Sequence, residues 1–283
     1  MLSTLKNTLS RLWHTSNANR KLTDLLELAS ADYIQTHLHG NPRYTDSLRL
    51  QRHEHKAYSQ NGEDGIIAEI FRRIGTTNKY FVEFGVGDGM ENNTAFLLLQ
   101  GWQGAWIEGS TASAIAIRKT FAKMIGEKRL HLQNAFITAE NIESLFANAA
   151  VPEEIDLCSI DIDGNDYWVW KAITRTKPRV VVIEYNSTFP ADVEWIKPYN
   201  PSWTWDGTTA FSSSLKSLER LGTDKGYALV GCDFRGVNAF FVRHDLVGDR
   251  FHAPFTAEEH YETPKYFLQR IAGHPRSAGV FRE

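Results

Sequence analysis

The stretch FVEFGVGDG, residues 81–89, places an acid, Glu83, near the end of a β-rich run and then puts glycines at three alternate positions. Glycine at such a turn lets the backbone reverse sharply and approach a ligand closely, because no Cβ intervenes. A helical pattern follows at residues 93–99. We therefore predict a strand, a glycine-rich turn and a helix, which form the first unit of a parallel α/β sheet.

Outside this stretch, short β-rich runs alternate with helical stretches from Tyr58 onward, which is typical of βαβ units. The predicted parallel strands lie at residues 80–84, 104–107, 130–133, 155–160 and 180–183. Helices are predicted at residues 62–74, 93–99, 112–124, 140–149, 166–173 and 212–221. Two later strands, 227–232 and 239–242, are joined by a segment too short for a helical crossover, so they must pair antiparallel. The predicted fold class is α/β, a parallel sheet that ends in an antiparallel hairpin.

Three regions are predicted along the chain. Residues 1–57 form an N-terminal helical extension, residues 58–250 the main domain, and residues 251–283 a C-terminal tail or helix that packs on it. Within the extension, residues 1–40 are interpreted as two helices, because apolar residues recur at helical spacing in two groups. These are Leu2, Leu5, Leu9 and Leu12, then Leu22, Leu25, Leu26 and Tyr33. A lid or an oligomer contact is favoured for it over a peripheral contact with a membrane.

The composition of the 283 residues excludes several classes of protein. A net charge of −3 without a long basic run gives no electrostatic reason to expect a nucleic acid partner. Cys158 and Cys232 belong to no CxxC or Cys/His set, so a disulfide framework and a zinc site are poorly supported, and a reducing cytoplasm is the expected location. No apolar run approaches the roughly 20 residues of a membrane-spanning helix.

The second strand ends in WIEG and carries an acid, Glu108, about 20 residues beyond the glycine turn. A carboxylate at that separation can accept both ribose hydroxyls of an adenosine cofactor. A dinucleotide turn would have glycine three residues beyond Gly87, where this chain has Met90, so an NAD-dependent oxidoreductase is disfavoured. S-adenosylmethionine needs no pyrophosphate site, and Glu83 could reach its amino group. Asn134, after the third strand, could contact the adenine edge or form a turn.

The run DLCSIDIDGNDYWVWKAI, residues 156–173, holds the densest chemistry. Period-two alternation puts Asp161 and Asp163 on the same side of an extended segment at the carboxyl end of the fourth strand, where α/β sheets bind ligands. Either acid could be a general base, whereas Asp166 could equally cap the next helix. Glu184 and Asn186 follow the neighbouring fifth strand, so Asp161, Glu184 and Asn186 together could hold a hard cation such as Mg²⁺.

These linked segments resemble a known family. The run DLCSIDIDGNDYWVWKAI with PRVVVIEYN, and the opening YSQNGEDG at residues 58–65, are similar to the signature of the FkbM-type methyltransferases over roughly residues 58–243. The resemblance implies a Rossmann-like class I methyltransferase fold, S-adenosylmethionine as methyl donor, and O-methylation of a sugar or secondary-metabolite hydroxyl. It gives Asp161 and Asp163 the roles of the signature acids. The residues expected around the cofactor are Gln60, Glu63, Glu83, Gly85, Gly87, Asn93, Glu108, Gly109, Asn134 and Asp161.

The chain departs from this pattern at several positions. Asp163 stands where the family usually has Glu, and Glu83 where Asp is common. The proposed metal ligands look like those of catechol-type O-methyltransferases, but there the acid and amide are adjacent, whereas Tyr185 separates Glu184 from Asn186 here.

The loop at residues 188–210 is rich in proline and in aromatic residues that suit a sugar ring. These aromatic residues are Trp195, Tyr199, Trp203 and Trp205. We therefore expect a small-molecule or glycan acceptor, a glycolipid or polysaccharide precursor among them. A non-catalytic binding or scaffold protein is the alternative, and a homo-oligomer is an open expectation.

Overall fold

The computed structural model describes residues 2–268, 276 and 278–281, with side chains from residue 18 onward. The leucine positions predicted before residue 18 therefore lie outside the described side chains, and the end of the predicted tail lies outside the described residues. Strands lie at β1 (Tyr80–Phe84), β2 (Gln103–Glu108), β3 (Leu130–Asn134), β4 (Glu154–Ile160), β5 (Lys177–Glu184), β6 (Tyr227–Cys232) and β7 (Asn238–Arg243). Helices lie at α1 (Leu2–Ile34), α2 (Glu63–Ile74), α3 (Ala95–Leu99), α4 (Thr111–Thr120), α5 (Ala122–Gly126), α6 (Ile142–Asn148), α7 (Asp166–Ala172), α8 (Leu215–Asp224), α9 (His244–Val247) and α10 (Ala257–His260).

The strands form one seven-stranded sheet in the order β3-β2-β1-β4-β5-β7-β6. The pairs among β1 to β5 are parallel, and β7 is antiparallel to both β5 and β6. The predicted fold class is thereby confirmed, including the terminal hairpin. The chain leaves β1 toward β2 and β3 and then returns to place β4 on the other side of β1, so the carboxyl ends of β1 and β4 flank the point where the strand order reverses. Ligands of open α/β sheets bind at such a point.

The sheet is buried on both faces, as expected for parallel strands with helical crossovers. On one face, Val82, Cys158 and Val181 join apolar side chains from α6, α7 and α8. On the other, Phe81 and Leu157 join side chains from α2. Because neighbouring strand residues point to opposite faces, both faces are filled with apolar side chains and only the strand ends remain for polar chemistry.

In the N-terminal extension, the predicted number of helices was wrong. A single helix, α1, replaces the two helices that the gap in leucine spacing suggested, and a short π-helical turn at Gln35–His39 follows it. The segment between the leucine groups has no glycine or proline to end a helix, so the helix continues through it. Among the described helices, none is both long and apolar enough to cross a membrane.

Candidate functional site

The glycine turn after β1 lies directly against the end of β4. Gly85, Gly87 and Gly89 have positive φ values of 66°, 57° and 82°, a region that other residues adopt with strain. A Cβ on Gly85 would lie 1.8 Å from the carbonyl oxygen of Asp161, whereas a Cβ on Gly87 would meet nothing within 4 Å. Gly85 is therefore required for the contact between the β1 and β4 ends, and Gly87 faces open space.

Glu108 joins the ends of β1 and β2 beside that space. Its Oε2 accepts a hydrogen bond from the backbone N–H of Gly87 (2.9 Å), and its Oε1 accepts one from that of Ser110 (2.6 Å). Each carboxylate oxygen can accept a further bond, so Glu108 keeps acceptor capacity toward a ligand. The predicted position of this acid at the tip of β2 is therefore suitable for holding a ribose.

Asn134 lies at the end of β3 but is engaged by its own chain. Its side-chain N–H donates to the carbonyl oxygen of Glu108 (2.8 Å), and its Oδ1 accepts from the hydroxyl of Thr111 (3.0 Å). The next turn of chain instead brings Phe136 and Ile137 toward the strand ends. Sequence reasoning missed these two apolar residues, although they directly follow the polar end of β3.

Gly85 and Glu108 line a cavity of about 460 Å³, which we name the donor cavity. Its lining includes Glu108 and Gly109, the apolar residues Phe136 and Ile137, and Trp203. Small-molecule sites typically have volumes of roughly 300 to 1,000 Å³ and mostly apolar walls with a few polar groups. The donor cavity fits that description.

Glu83 is buried below the donor cavity and fully engaged. Its carboxylate accepts hydrogen bonds from the backbone N–H groups of Asn93 (2.8 Å) and Thr94 (3.1 Å), and also from the hydroxyls of Thr94 (2.5 Å) and Ser159 (3.2 Å). The side chain of Asn93 also donates to Ser159 (3.0 Å). Burial raises the pKa of Glu83 to about 7 despite these donors. Glu83 and Asn93 thus hold the start of α3 against β1 and β4, and neither lines the donor cavity.

The segment YSQNGEDG folds into a tight loop before α2. The carboxylate of Glu63 accepts hydrogen bonds from Asn61 (2.6 and 2.9 Å) and from the side chain of Asn238 (2.8 Å), which fixes the start of α2 to β7. Gln60 is exposed and reaches a second cavity, described below. Of the two residues predicted here, the structure therefore places Gln60 at a cavity and Glu63 in the scaffold that holds it.

Three carboxylates meet at the carboxyl ends of β4 and β5. These are the carboxylates of Asp161, Asp166 and Glu184, which we name the acidic cluster. Each offers one oxygen atom, and the three oxygens lie within 4.8 Å of one another. Asp166 accepts hydrogen bonds from the backbone N–H groups of Ile162 and Gly164, both at 2.8 Å. The Oε2 atom of Glu184 is buried and has no hydrogen-bond partner. Among the described residues, no Arg, Lys or His forms an ion pair with any of the three.

The protonation of the acidic cluster follows from this arrangement. Burial, and next the repulsion from neighbouring carboxylates, holds the pKa values of Asp161 and Glu184 well above their ordinary range. Burial also raises the pKa of Asp166 to about 7. Unpaired buried carboxylates are costly, so they persist only where a proton, a metal ion or a ligand compensates them.

The acidic cluster opens into the second cavity, which we name the acceptor cavity, of about 380 Å³. Asp161 and Glu184 line it together with Gln60 and the aromatic residues Phe211 and Tyr266. The donor and acceptor cavities are neighbours, because both are lined by the same two residues, Asp163 and Trp205. Asp163 has a left-handed backbone (φ 58°), and burial raises the pKa of its carboxyl.

Asn186 is predicted as a metal ligand, but its side chain is engaged by other residues of the chain. Its side-chain N–H group donates to the carbonyl oxygens of Thr209 (2.7 Å) and Phe211 (2.9 Å), and its Oδ1 accepts from Thr188 (2.5 Å). With both polar atoms engaged, Asn186 holds the loop that follows it and is not part of the acidic cluster. Asp166, which the sequence left undecided between a helix cap and a functional acid, takes the third position.

The acidic cluster satisfies the chemical requirements of a hard divalent cation. Three carboxylates converge beside the ends of β4 and β5, one carboxylate oxygen has no hydrogen-bond partner, and Mg²⁺ prefers oxygen ligands of this kind. The residues present therefore fit such an ion, held by Asp161, Asp166 and Glu184.

The aromatic residues of the loop at residues 188–210 have two different roles: some line the cavities and others hold the loop in place. Trp203 and Trp205 line the donor cavity, and Trp205 also lines the acceptor cavity. Trp195 instead stacks on Phe189, with ring centroids 4.7 Å apart, and the hydroxyl of Tyr199 contacts Glu140. Two of the four predicted aromatic residues, Trp195 and Tyr199, thus hold the loop in place.

No protein-family model and no curated protein sequence matches this chain. Solved structures that resemble it include an O-methyltransferase from Bacillus cereus in complex with SAH, at 14% identity and a TM-score of 0.41, covering 68% of this chain and 82% of the other. Another is the magnesium protoporphyrin IX methyltransferase from Synechocystis PCC 6803 with bound SAM, at 8% identity and a TM-score of 0.41, covering 64% and 77%. Similarities this low leave the reaction of this chain to be inferred from its own residues.

Proposed function

We propose that this chain is an S-adenosylmethionine-dependent O-methyltransferase, with the methyl donor in the donor cavity and a hydroxyl-bearing acceptor in the acceptor cavity. One observation carries the proposal: a cavity bounded by a glycine turn and a strand-end acid adjoins a second cavity lined by unpartnered carboxylates, with Asp163 and Trp205 shared between them. Methyl transfer requires such a pair of neighbouring sites, because the donor sulfur, the methyl carbon and the acceptor oxygen must lie in line.

The donor cavity offers a distinct contact for each part of the donor. Glu108 is positioned to accept hydrogen bonds from the ribose hydroxyls with the capacity that Gly87 and Ser110 leave free. Phe136 and Ile137 provide apolar surface for the adenine ring. The open space beside Gly87 suits the methionine portion. Glu83 supports the turn from below, and this replaces the direct contact with the donor amino group expected from the sequence.

Without a cation, the carboxylate that removes the proton is Asp161 or Asp163, since both line the acceptor cavity. When Asp161 holds a cation, this role falls to Asp163. The acceptor oxygen forms a bond to the methyl carbon while the bond from that carbon to the sulfonium sulfur breaks. The hydroxyl proton passes to the carboxylate, and S-adenosylhomocysteine leaves as the neutral thioether. Burial raises the carboxyl pKa of both aspartates, which makes them stronger bases than exposed aspartates.

A divalent cation belongs to this proposal as a component of the acceptor cavity. Asp161, Asp166 and Glu184 would hold it, and their raised pKa values mean that binding displaces protons from the cluster. A bound Mg²⁺ lowers the pKa of a coordinated hydroxyl. Glu184 gains in this arrangement the partner that its orphaned Oε2 lacks.

The acceptor is proposed to be a hydroxyl of a sugar or of a glycolipid or polysaccharide precursor. Trp205, Phe211 and Tyr266 present aromatic surface beside the carboxylates, and this combination suits the apolar face and the hydroxyl edge of a sugar ring. The family resemblance over residues 58–243 supports the same class. A nucleic acid is disfavoured, because phosphates would meet the acidic cluster.

The test has two stages that separate donor binding from transfer. Calorimetric titration with S-adenosylhomocysteine, with and without Mg²⁺, should show donor binding that Glu108→Ala abolishes. Transfer of a labelled methyl group from S-adenosylmethionine to a panel of glycans and non-carbohydrate alcohols then identifies the acceptor. A suitable control is Glu194→Gln, because Glu194 forms a surface ion pair with Arg220 away from both cavities.

Three outcomes would contradict the proposal at different levels. Absence of donor binding would remove the methyltransferase assignment itself. Donor binding with transfer to non-carbohydrate acceptors alone would keep the enzyme and reject the sugar, whereas donor binding without any transfer would favour a scaffold protein.

A further inference from the structure

The described part of α1 extends from the rest of the molecule with little support. From residue 18 to residue 32 no side chain is buried, and Leu22, Leu25 and Leu28 are 56%, 62% and 68% exposed. Only at the end of the helix do Tyr33 and Ile34 pack, in a cluster with Leu38, Tyr44, Phe234 and Leu268. The helix is thus anchored at its carboxyl end and unsupported along the rest of its described length.

A helix with exposed leucines along its length is stabilised when these side chains pack against a partner. Isolated helices are marginally stable in water, and most helical stability in proteins comes from packing of an apolar face. Leu22, Leu25, Leu26 and Ala29 recur at the i, i+3, i+4, i+7 spacing of such a face, and Leu26 is 38% exposed. The stripe continues to Tyr33, which packs against the body of the protein, so Leu22, Leu25 and Leu26 lie on the face that would extend this contact.

The charges of α1 are divided between its two halves. Residues 2–23 contain Lys6, Arg11, Arg20 and Lys21 and no acid, whereas residues 24–34 contain Asp24, Glu27 and Asp32 and no Lys or Arg. Among the described residues, Arg20, Lys21 and the three acids form no ion pair. The helix therefore has a basic half far from the body and an acidic half near it.

We propose that α1 pairs antiparallel with α1 of a second copy of this chain. Antiparallel pairing sets the basic half of each helix beside the acidic half of the other, whereas parallel pairing sets like charges together. Since a 33-residue helix is about 50 Å long, antiparallel pairing places the two folded bodies at opposite ends of the pair. The occupant of the exposed leucine face is thus a second copy. An anionic membrane is disfavoured, because it would repel the acidic half.

Sedimentation velocity of the full chain over a range of concentrations tests the proposal. One variant, Asp24→Lys with Glu27→Lys and Asp32→Lys, makes α1 wholly basic. A second, Lys6→Glu with Arg11→Glu, Arg20→Glu and Lys21→Glu, makes it wholly acidic. We expect a dimer for the unmodified chain and monomers for each variant, with the dimer dissociation constant raised at least ~100-fold. An equimolar mixture of the two variants should form the dimer again.

The mixture distinguishes charge pairing from loss of structure, and circular dichroism of each variant checks its helix content. A monomeric unmodified chain at about 100 μM in low salt would overturn the proposal. So would variants that dimerise as before, or a mixture that stays monomeric. Co-sedimentation of a monomeric unmodified chain with phosphatidylserine vesicles would assign the face to a membrane instead. None of these results depends on methyl transfer, so the proposed function is tested separately.

Discussion

Two pairs of carboxylates stand at the ends of neighbouring parallel strands, and their surroundings differ. At β1 and β2, Glu83 and Glu108 accept hydrogen bonds from groups of their own chain. At β4 and β5, no described residue donates a hydrogen bond to Asp161, and Oε2 of Glu184 is buried without a partner. The first pair shapes the backbone around the donor cavity. The second pair is left for a ligand, a proton or a cation.

Neutralising Asp161 should produce the largest effect and separate activity from stability. We expect Asp161→Asn to lower kcat/KM for methyl transfer by about 10²- to 10⁴-fold, the usual range for a lost general base. The free energy of unfolding should stay the same or rise, because the neutral amide is free of the burial cost and of the repulsion from neighbouring carboxylates that raise the pKa of Asp161. Transfer assays and urea denaturation measure the two quantities. Lower stability with full activity would show that Asp161 is structural.

Glu83→Gln should lower stability and leave activity nearly unchanged, the reverse of the result expected for Asp161→Asn. The amide keeps one acceptor oxygen and turns an –NH₂ group toward donors from Asn93, Thr94 and Ser159, so hydrogen bonds are lost in a buried place. We expect the free energy of unfolding to fall by about 2–4 kcal/mol. Activity per folded molecule should change little. A variant as stable as the parent but inactive would indicate that Glu83 contacts the methyl donor directly.

Glu108→Gln tests the part of the first pair that faces the donor cavity. One oxygen still accepts a backbone N–H, but the other is replaced by an –NH₂ group, so one of the hydrogen bonds from Gly87 and Ser110 and one ribose contact are lost. We expect the dissociation constant of S-adenosylhomocysteine to rise about 10-fold, or 1.4 kcal/mol. Asn134→Ala is the matched comparison, because Asn134 binds the same strand end without lining the cavity, and it should stay within about 2-fold. Equal effects from both variants would contradict this division.

The smallest expected effect is on the pH dependence of stability. Burial raises the carboxyl pKa values of Asp161 and Glu184, and that of Asp166 to about 7. Between the unfolded-state values near 4 and these raised values, the folded chain binds more protons, so its free energy of unfolding falls as pH rises. In a metal-free buffer, Glu184→Gln should lessen this fall by about 1 kcal/mol per pH unit. Denaturation curves at about pH 5, 6 and 7 measure it; parallel slopes would contradict it.

Much of the fold was predictable because its signals are local. Alternating β-rich runs and helical stretches located all seven strands within a few residues, and the short connection at residues 233–238 required the antiparallel hairpin. The position of Glu108 also followed from its separation from the glycine turn. The extension was predicted less well, since the gap between leucine groups looked like a break while nothing in that segment ends a helix.

The site was less predictable because its contacts are distant in the chain. Asn186 seemed available as a ligand until the structure showed its amide bonded to Thr209 and Phe211. Asp166 seemed as suited to capping as to function, and in the structure it accepts backbone hydrogen bonds and also lies in the acidic cluster. Phe136 and Ile137 gave no polar signal that would mark them as cavity residues.

The sequence by itself determined a parallel sheet with acids at the ends of β1, β2, β4 and β5, because strand period, glycine turns and strand-end polarity are local properties. Only the tertiary structure decided which acids are available for chemistry. A carboxylate is engaged or free according to the donors that surround it, and those donors arrive from elsewhere in the chain, as Ser159 does at Glu83. The sequence thus located the carboxylates, and the packing of distant segments determined which of them remain free to bind a ligand.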